Sequence, residues 1–315
     1  MPDLFAGPGG IDVAAKDLGL HLTGIEWDPN AVATRIAAGL STIHGNVRDF
    51  RPVDFDEDVI AAGPPCQTFS IGGTGKGRAS LDALLAAVKT AGARGFVTTP
   101  EGLDDRTSLV LEPLRWILEA YNSRHPYRAI VLEQVPAVLP IWQAYAEVLE
   151  PRGYSVATGV LNAEEYGVPQ TRKRAALLAR LDGPVALPAP THRRYVKGVP
   201  QFAGDPSLLP WISMADALPD RGEFTVVSNY GTGGDPKNRG RRTSAVPAFT
   251  VTGKISRFRL LDPDGRELPR FTHAEAGQLQ GFPADYPWTG NDIPQQIGNA
   301  APVPLATALL RAATA

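Results

Sequence analysis

The chain has 315 residues, 43% hydrophobic and 20% charged, which suits one large core or a core with a smaller appended domain. Its net charge of −2 argues against a chain that is basic throughout, and the lack of any apolar run of about 18 residues argues against a membrane-spanning helix. A single cysteine permits no internal disulfide and fits a reducing cytoplasm; with five scattered histidines it matches no common zinc spacing, so no structural metal is expected. The start, MPDLFAGPGG, has neither the basic nor the apolar region of a secretory signal.

In chain order, Pro2–Ala6 reads as a strand, Ile11–Leu18 as a helix, Leu22–Glu26 as a strand and Asn30–Ala38 as a helix. Asp58–Ala62 is a further strand, Leu109–Tyr121 an amphipathic helix, Ala129–Glu133 (AIVLE) a buried strand and Ile141–Pro151 largely helix. Ser155–Asn162 and Ala175–Arg180 complete the strands. This alternation predicts an α/β fold with a mostly parallel, doubly wound sheet. From about Pro184 the texture changes to Pro, Gly and Arg with short β-like pieces, EFTVVSNY at 223–230 and PAFTVTG at 247–253. The expected organisation is a catalytic domain over 1–185, a smaller domain over 186–265 and, over 266–315, helices (272–281 and 302–313) that return to the first.

Charge is distributed unevenly. Residues 170–259 hold 15 Lys/Arg against 6 Asp/Glu, a net of +9, and the remainder nets −11. One basic face on an acidic body is a footprint for phosphates; a solvated, charge-rich insertion is the other reading.

The segment 3-DLFAGPGGIDVAAK-16 is strand, glycine turn, helix. Gly7, Gly9 and Gly10 allow a tight turn and close approach of a ligand to the backbone. Glu26 follows Gly7 by nineteen residues at the end of the second strand, a spacing suited to a carboxylate that accepts from ribose hydroxyls, and Trp27 beside it offers a flat face for an adenine. Asp12 occupies the third glycine's place of a dinucleotide fingerprint, which favours a nucleoside without a pyrophosphate, S-adenosylmethionine foremost.

Three further stretches narrow the reading: 63-GPPCQTFS-70, 131-VLEQVPAVL-139 and 170-QTRKRAALLA-179. With DLFAGPGG, GIEW, 270-RFTHAEAGQLQGFP-283 and 295-QQIGNAAPVPLA-306 they stand in the order of the DNA (cytosine-5)-methyltransferase family, which the chain closely resembles outside about 185–265. The resemblance implies a Rossmann-like methyltransferase sheet with a small, mostly β or irregular target-recognition domain. It also implies S-adenosyl-L-methionine as methyl donor, double-stranded DNA as substrate, and a bacterial or phage-encoded enzyme of the cytoplasm. Cys66, the only thiol, is then the nucleophile that adds to carbon 6 of a flipped-out cytosine. Glu133, at the end of an apolar strand, is the acid at ring N3, its protonated form favoured by burial. Arg174 is expected to reach the pyrimidine O2 and Arg172 to brace the site.

By the same resemblance the donor site comprises Phe5, Gly7, Pro8, Gly9, Gly10, Glu26, Trp27, Asn46, Val47, Pro65, Leu109, Asn299 and Ala301. Asn299 brings the C-terminal segment back beside Phe5. Gly72, Gly73, Gly75 and Gly77 read as hinges of a loop that closes over the base. The expected DNA contacts are Ser70, Lys76, Arg78, Gln170, Arg239, Arg241, Arg242, Lys254 and Arg257, with 228-SNYGTGGDPKN-238 as a segment that enters a groove. The chain departs from the family pattern at Asn46, where aspartate is usual, at Gln134, where the family has Glu-Asn-Val, at Thr107, in a glycine position, and in a long stretch from Gly75 to Asp104. A silent DNA-binding relative, an RNA substrate, an altered sulfonium donor and a nicotinamide-dependent dehydrogenase are the rival readings. A monomer is expected; the sequence names neither a recognition site nor a partner endonuclease.

Overall fold

The computed structural model describes residues 1–65, 75–228 and 239–315, with the backbone alone for 75–78. Its elements are β1 (Pro2–Leu4), α1 (Gly10–Lys16), β2 (Thr23–Glu26), α2 (Pro29–Ala37), β3 (Thr42–His44), β4 (Val59–Ala62), α3 (Gly75–Arg94), α4 (Asp105–Ser108), α5 (Glu112–Asn122), β5 (Ala129–Gln134), α6 (Leu139–Leu149), β6 (Ser155–Asn162) and β7 (Lys173–Arg180). There follow α7 (Met214–Ala217), β8 (Thr225–Val227), β9 (Arg241–Thr243), β10 (Arg259–Leu261), β11 (Glu267–Leu268), α8 (His273–Gln278), α9 (Ile293–Asn299) and α10 (Val303–Thr314).

Seven strands form the larger sheet in the order β3-β2-β1-β4-β5-β7-β6. From β3 to β5 neighbours are parallel, and β7 runs antiparallel to both β5 and β6. Strand β5 is buried along its length because it lies mid-sheet with helices on both faces, so its sequence is a continuous apolar run instead of an alternation. One face is covered by α5 and α6, with Trp116, Ile117, Trp142 and Tyr145 fully buried; the other by α1 and α10, with Ala14, Leu309 and Leu310. The smaller sheet, β11-β10-β8-β9, is antiparallel, and its core takes Phe224, Val226, Phe258 and Leu260. Ala276, Leu279 and Ile297 of the tail segment also enter that second core, whereas α10 packs on the large sheet.

Three differences from the sequence expectation have local causes. The edge strand β3 escaped notice because it is three residues long, pairing Ile43 with Ile25. The expected helix Leu109–Tyr121 opens as a 3-10 turn, Leu109–Leu111, before α5 begins at Glu112 with Pro113 in its first turn. Gly75 and Gly77, expected as hinges, stand at the start of the twenty-residue helix α3. Downstream, Leu84, Ala87, Val88 and Ala91 recur at helical spacing and are buried, and α3 lies along α6. Gly92 allows the close approach: a Cβ there would stand 2.9 Å from Val148 Cγ2, and Arg152 Nη2 donates to the Gly92 carbonyl at 2.9 Å. The long stretch from Gly75 to Asp104 is therefore mainly this helix.

Candidate active site

Strand order reverses between β1 and β4, so the chains that leave their carboxyl ends turn to opposite faces of the sheet and leave a crevice, where ligands of open α/β sheets bind. Gly63 N donates to the Leu4 carbonyl at 3.2 Å, which sets the glycine turn beside the chain that runs toward Cys66.

The turn itself is left-handed at Phe5 (φ 64°), Gly7 (φ 54°) and Gly9 (φ 103°). A Cβ at Gly7 would meet nothing within 4 Å, so this face is open. At Gly10 a Cβ would collide with the Ala301 carbonyl oxygen, which brings the C-terminal segment onto the turn. Glu26 is buried and accepts from three backbone amides, Gly7 at 2.7 Å, Trp27 at 2.9 Å and Asp28 at 2.8 Å. Burial raises the Glu26 carboxyl above its ordinary range, and the amide bonds work against that. Two oxygens offer about four lone-pair sites, so acceptor capacity for a hydroxyl remains. Trp27 is 66% exposed, a free aromatic face beside that carboxylate.

Asn46 accepts from Arg48 N at 3.1 Å and caps a 3-10 turn, so its side-chain oxygen is already partly used. Val47 is buried, and its carbonyl accepts from Arg115 Nη2 (3.0 Å) and Trp116 Nε1 (3.3 Å). Leu109 is half-buried and packs on the large core. Asn299 is exposed at the end of α9 and accepts from Gln295 Nε2 at 2.7 Å. Pro8 is buried, its carbonyl accepting from the Tyr286 hydroxyl.

On the far side of the crevice, Arg174 Nε stands 2.5 Å from Glu133 Oε1, an ion-pair contact that lacks hydrogen-bond alignment. The Glu133 carboxyl group thus faces a guanidinium, and both side chains are about nine-tenths buried. Glu133 also borders the chain leading to the thiol, since a Cβ at Gly63 would lie 3.9 Å from Glu133 Oε2. Gln134 bridges the two strands, Nε2 donating to the Pro64 carbonyl and Oε1 accepting from Val135 N at 2.5 Å. Pro65 is half-exposed at the end of the described segment. Cys66, Ser70, Gly72 and Gly73 lie outside the described residues, as do the side chains of Lys76 and Arg78 and all of 229–238.

Arg172 is buried, with Nη1 on the Val251 carbonyl (2.5 Å) and Nη2 on the Gly298 carbonyl (2.7 Å). Burial first, and then the Arg174 charge, push its guanidinium well below the usual range; the two carbonyls offset part of that cost. Arg172 thus ties the segment around Val251 and the end of α9 to the start of β7.

Two expected DNA contacts are structural instead. Gln170 is fully buried: Nε2 donates to the Leu279 carbonyl and to Gln280 Oε1, both at 2.7 Å, and Oε1 accepts from Val251 N at 2.8 Å. Arg242 is half-buried, with Nη1 on Thr171 Oγ1 and the Pro247 and Ala248 carbonyls, and its guanidinium stacks 4.3 Å from the Phe249 ring centre and 5.1 Å from that of Tyr195. Arg241, Lys254 and Arg257 are exposed and Arg239 is partly so. The piece 250-TVTG-253 does not stand free either: Thr250 Oγ1 donates to the Thr171 carbonyl at 2.7 Å, and Gly298 packs against Gly253.

The family profile described as C-5 cytosine-specific DNA methylase matches residues 1–88, 102–198 and 221–315. The break at 89–101 falls in the α3 stretch. A Type II methyltransferase, M.AplI of Arthrospira platensis, is 30% identical over 325 residues, covering 98% of this chain and 84% of that one. M1.HphI of Haemophilus parahaemolyticus, also a Type II methyltransferase, is 29% identical, with 98% and 85% covered. The fold matches that of an S. pombe Dnmt2 methyltransferase at TM-score 0.63 and 17% identity, with 98% and 96% covered. It matches equally a putative DNA modification methyltransferase from an E. coli prophage, at TM-score 0.63 and 18% identity, with 98% and 97% covered.

Proposed function

The chain belongs to the C-5 cytosine-specific DNA methylase family, and from that premise we propose which of its residues carry the reaction. The activity is transfer of a methyl group from S-adenosylmethionine to carbon 5 of cytosine in DNA through a covalent adduct at carbon 6. Carbon 5 of cytosine is a poor nucleophile, and addition of a thiolate to carbon 6 makes it enamine-like. Cys66 supplies that thiolate: its Sγ–C6 bond forms as the ring double bond opens, carbon 5 takes the methyl as its bond to the sulfonium sulfur breaks, and the Sγ–C6 bond breaks again when a base removes the carbon 5 proton and the double bond returns. Glu133 faces ring N3 and donates a proton on its carboxyl group to it, taking up the charge that addition places on the ring; Arg174 holds that side chain before the base arrives and then turns to the pyrimidine O2.

The residues present fit a nucleoside methyl donor. The open face of Gly7, the exposed indole of Trp27 and the remaining acceptor capacity of Glu26 sit together at the strand switch. When bound there, the donor supplies a methyl group activated by a sulfonium. Phe5, Gly7, Pro8, Gly9, Gly10, Glu26, Trp27, Asn46, Val47, Pro65, Leu109, Asn299 and Ala301 hold it. Asn46 keeps an acceptor for the adenine amino group without the charge of an aspartate.

Residues 1–185 form the catalytic unit, 186–265 the recognition unit, and 266–315 tie the two. Arg239, Arg241, Lys254 and Arg257 contact phosphates of double-stranded DNA, with Ser70, Lys76 and Arg78 on the catalytic side. We read the protein as a cytoplasmic monomer of a restriction–modification system, by analogy with relatives named Type II methyltransferases. The Glu133–Arg174 pair beside the Gly63–Pro65 chain carries this reading. Methylation of random duplex DNA followed by bisulfite sequencing tests it: protected cytosines in one sequence context are expected, and none with Cys66→Ala. Full protection by that variant would overturn the covalent role.

A further inference from the structure

Arg35, on α2, is fully buried beneath the glycine turn, and every donor it has is placed. Nη1 and Nη2 bind the two Asp12 oxygens, each at 2.7 Å. Nη2 also reaches the Ser41 carbonyl (3.0 Å), Nε reaches Thr42 Oγ1 (3.1 Å), and Nη1 reaches the Ala6 carbonyl at 3.4 Å, the longest of the set. The strand beside it has been cleared for the guanidinium, since a Cβ at Gly24 would collide with Arg35 Nη2. Above it, a Cβ at Gly9 would lie 2.9 Å from the Tyr286 hydroxyl, which donates to the Pro8 carbonyl. Burial works against the Arg35 charge, but the bidentate Asp12 bonds outweigh it and hold the guanidinium above its ordinary range.

The Ala6 carbonyl and the Gly7 N–H belong to one peptide plane and point in opposite directions. Glu26 accepts from the N–H edge; Arg35 and Gly9 N (3.2 Å) both donate to the carbonyl edge. Resting on the reading of this turn as the methyl-donor site, we propose that Arg35 is a positioning residue for the donor. With Asp12 and Tyr286 it fixes the Ala6–Gly7 peptide and the backbone that follows it, so that the turn is formed before the donor arrives.

The test compares Arg35→Lys, Asp12→Asn and Tyr286→Phe with the unaltered protein. Lysine keeps the charge but lacks the planar fork, and Tyr286→Phe removes only the hydroxyl. Three quantities are read: affinity for S-adenosylhomocysteine by calorimetry, kcat and KM for the donor at saturating DNA, and amide exchange over residues 5–12 in the donor-free protein. The expected result is a rise of about tenfold in Kd and in KM, with kcat within about twofold, DNA affinity unchanged and faster exchange at Gly7. A folded Arg35→Lys with unaltered Kd and exchange would overturn the proposal. Where Arg35→Lys gives no cooperative melt, Tyr286→Phe decides in the same way, unaltered Kd and exchange again counting against it. If the unaltered protein itself binds no S-adenosylhomocysteine, it is the donor-site reading that fails.

Discussion

Arg174 and Glu133 face each other 2.5 Å apart on adjacent antiparallel strands, so each is the other's partner before any base is present. In the proposed mechanism, a cytosine entering between them takes over both contacts. Glu133→Gln and Arg174→Gln are each expected to lower the single-turnover methylation rate by about a hundredfold or more while DNA affinity in gel shift is retained. Because each single change leaves its partner's charge buried, the double variant should lose less than the two losses combined. Additive losses would show that the two side chains act separately.

Gln170 separates a structural role from a DNA contact. Its amide joins Leu279, Gln280 and Val251 in the interior, and truncation strands those groups. Gln170→Ala should therefore cost at least about 1–3 kcal/mol in urea unfolding. The salt dependence of DNA affinity should stay as in the parent; a flatter salt slope with unchanged stability would restore Gln170 to the DNA surface.

The exposed basic residues behave differently from Arg242. Lys254→Gln and Arg257→Gln should each reduce the slope of log affinity against log salt by about 1, and weaken all sequences alike. Arg242→Gln removes the stack on Tyr195 and Phe249 and three hydrogen bonds, so a lower melting temperature is its main effect. Titration of each variant on one duplex at three salt concentrations checks the difference.

Asp3, at the middle of β1, is fully buried, and neither of its oxygens has a hydrogen-bond partner among the described residues. Burial, then the Asp12 carboxylate, raise its pKa well above the ordinary carboxylate range, with Glu26 adding to this and Arg35 opposing it. A raised acid binds its proton more tightly when folded. Its contribution to stability is complete below the ordinary carboxylate pKa and is lost as pH climbs toward the folded value. Asp3→Asn should accordingly melt higher than the parent near pH 8, with the gap narrowing toward pH 4. A gap that widens on acidification would contradict the assignment.

Much of the crevice was legible because its residues sit at the ends of strands that announce themselves by apolar runs and glycine turns: Gly7 after β1, Glu26 at the end of β2, Glu133 near the end of β5. What stayed hidden has long-range causes. Arg35 looks like the polar face of an ordinary helix, and only the folded chain brings it to Asp12, twenty-three residues back. Gln170 and Arg242 carry polar side chains in a basic stretch, and nothing local says that tertiary carbonyls and rings absorb them. Helix α3 was masked by the glycines at its start, although Leu84, Val88 and Ala91 carried its period. The strands of the second sheet, two or three residues long, depend on partners far along the chain more than on their own propensity.

The bond from Tyr286 to Pro8 spans 278 residues, and Ala301 closes on Gly10 across a still longer interval. A polypeptide still being synthesised can pair β1 with β2 early, yet cannot complete its first turn until nearly three hundred residues have left the ribosome. Such distant closure is slow in folding terms. The far end of the sequence is thereby a structural part of the near end, and the first turn reaches its full packing only after the last helices have docked.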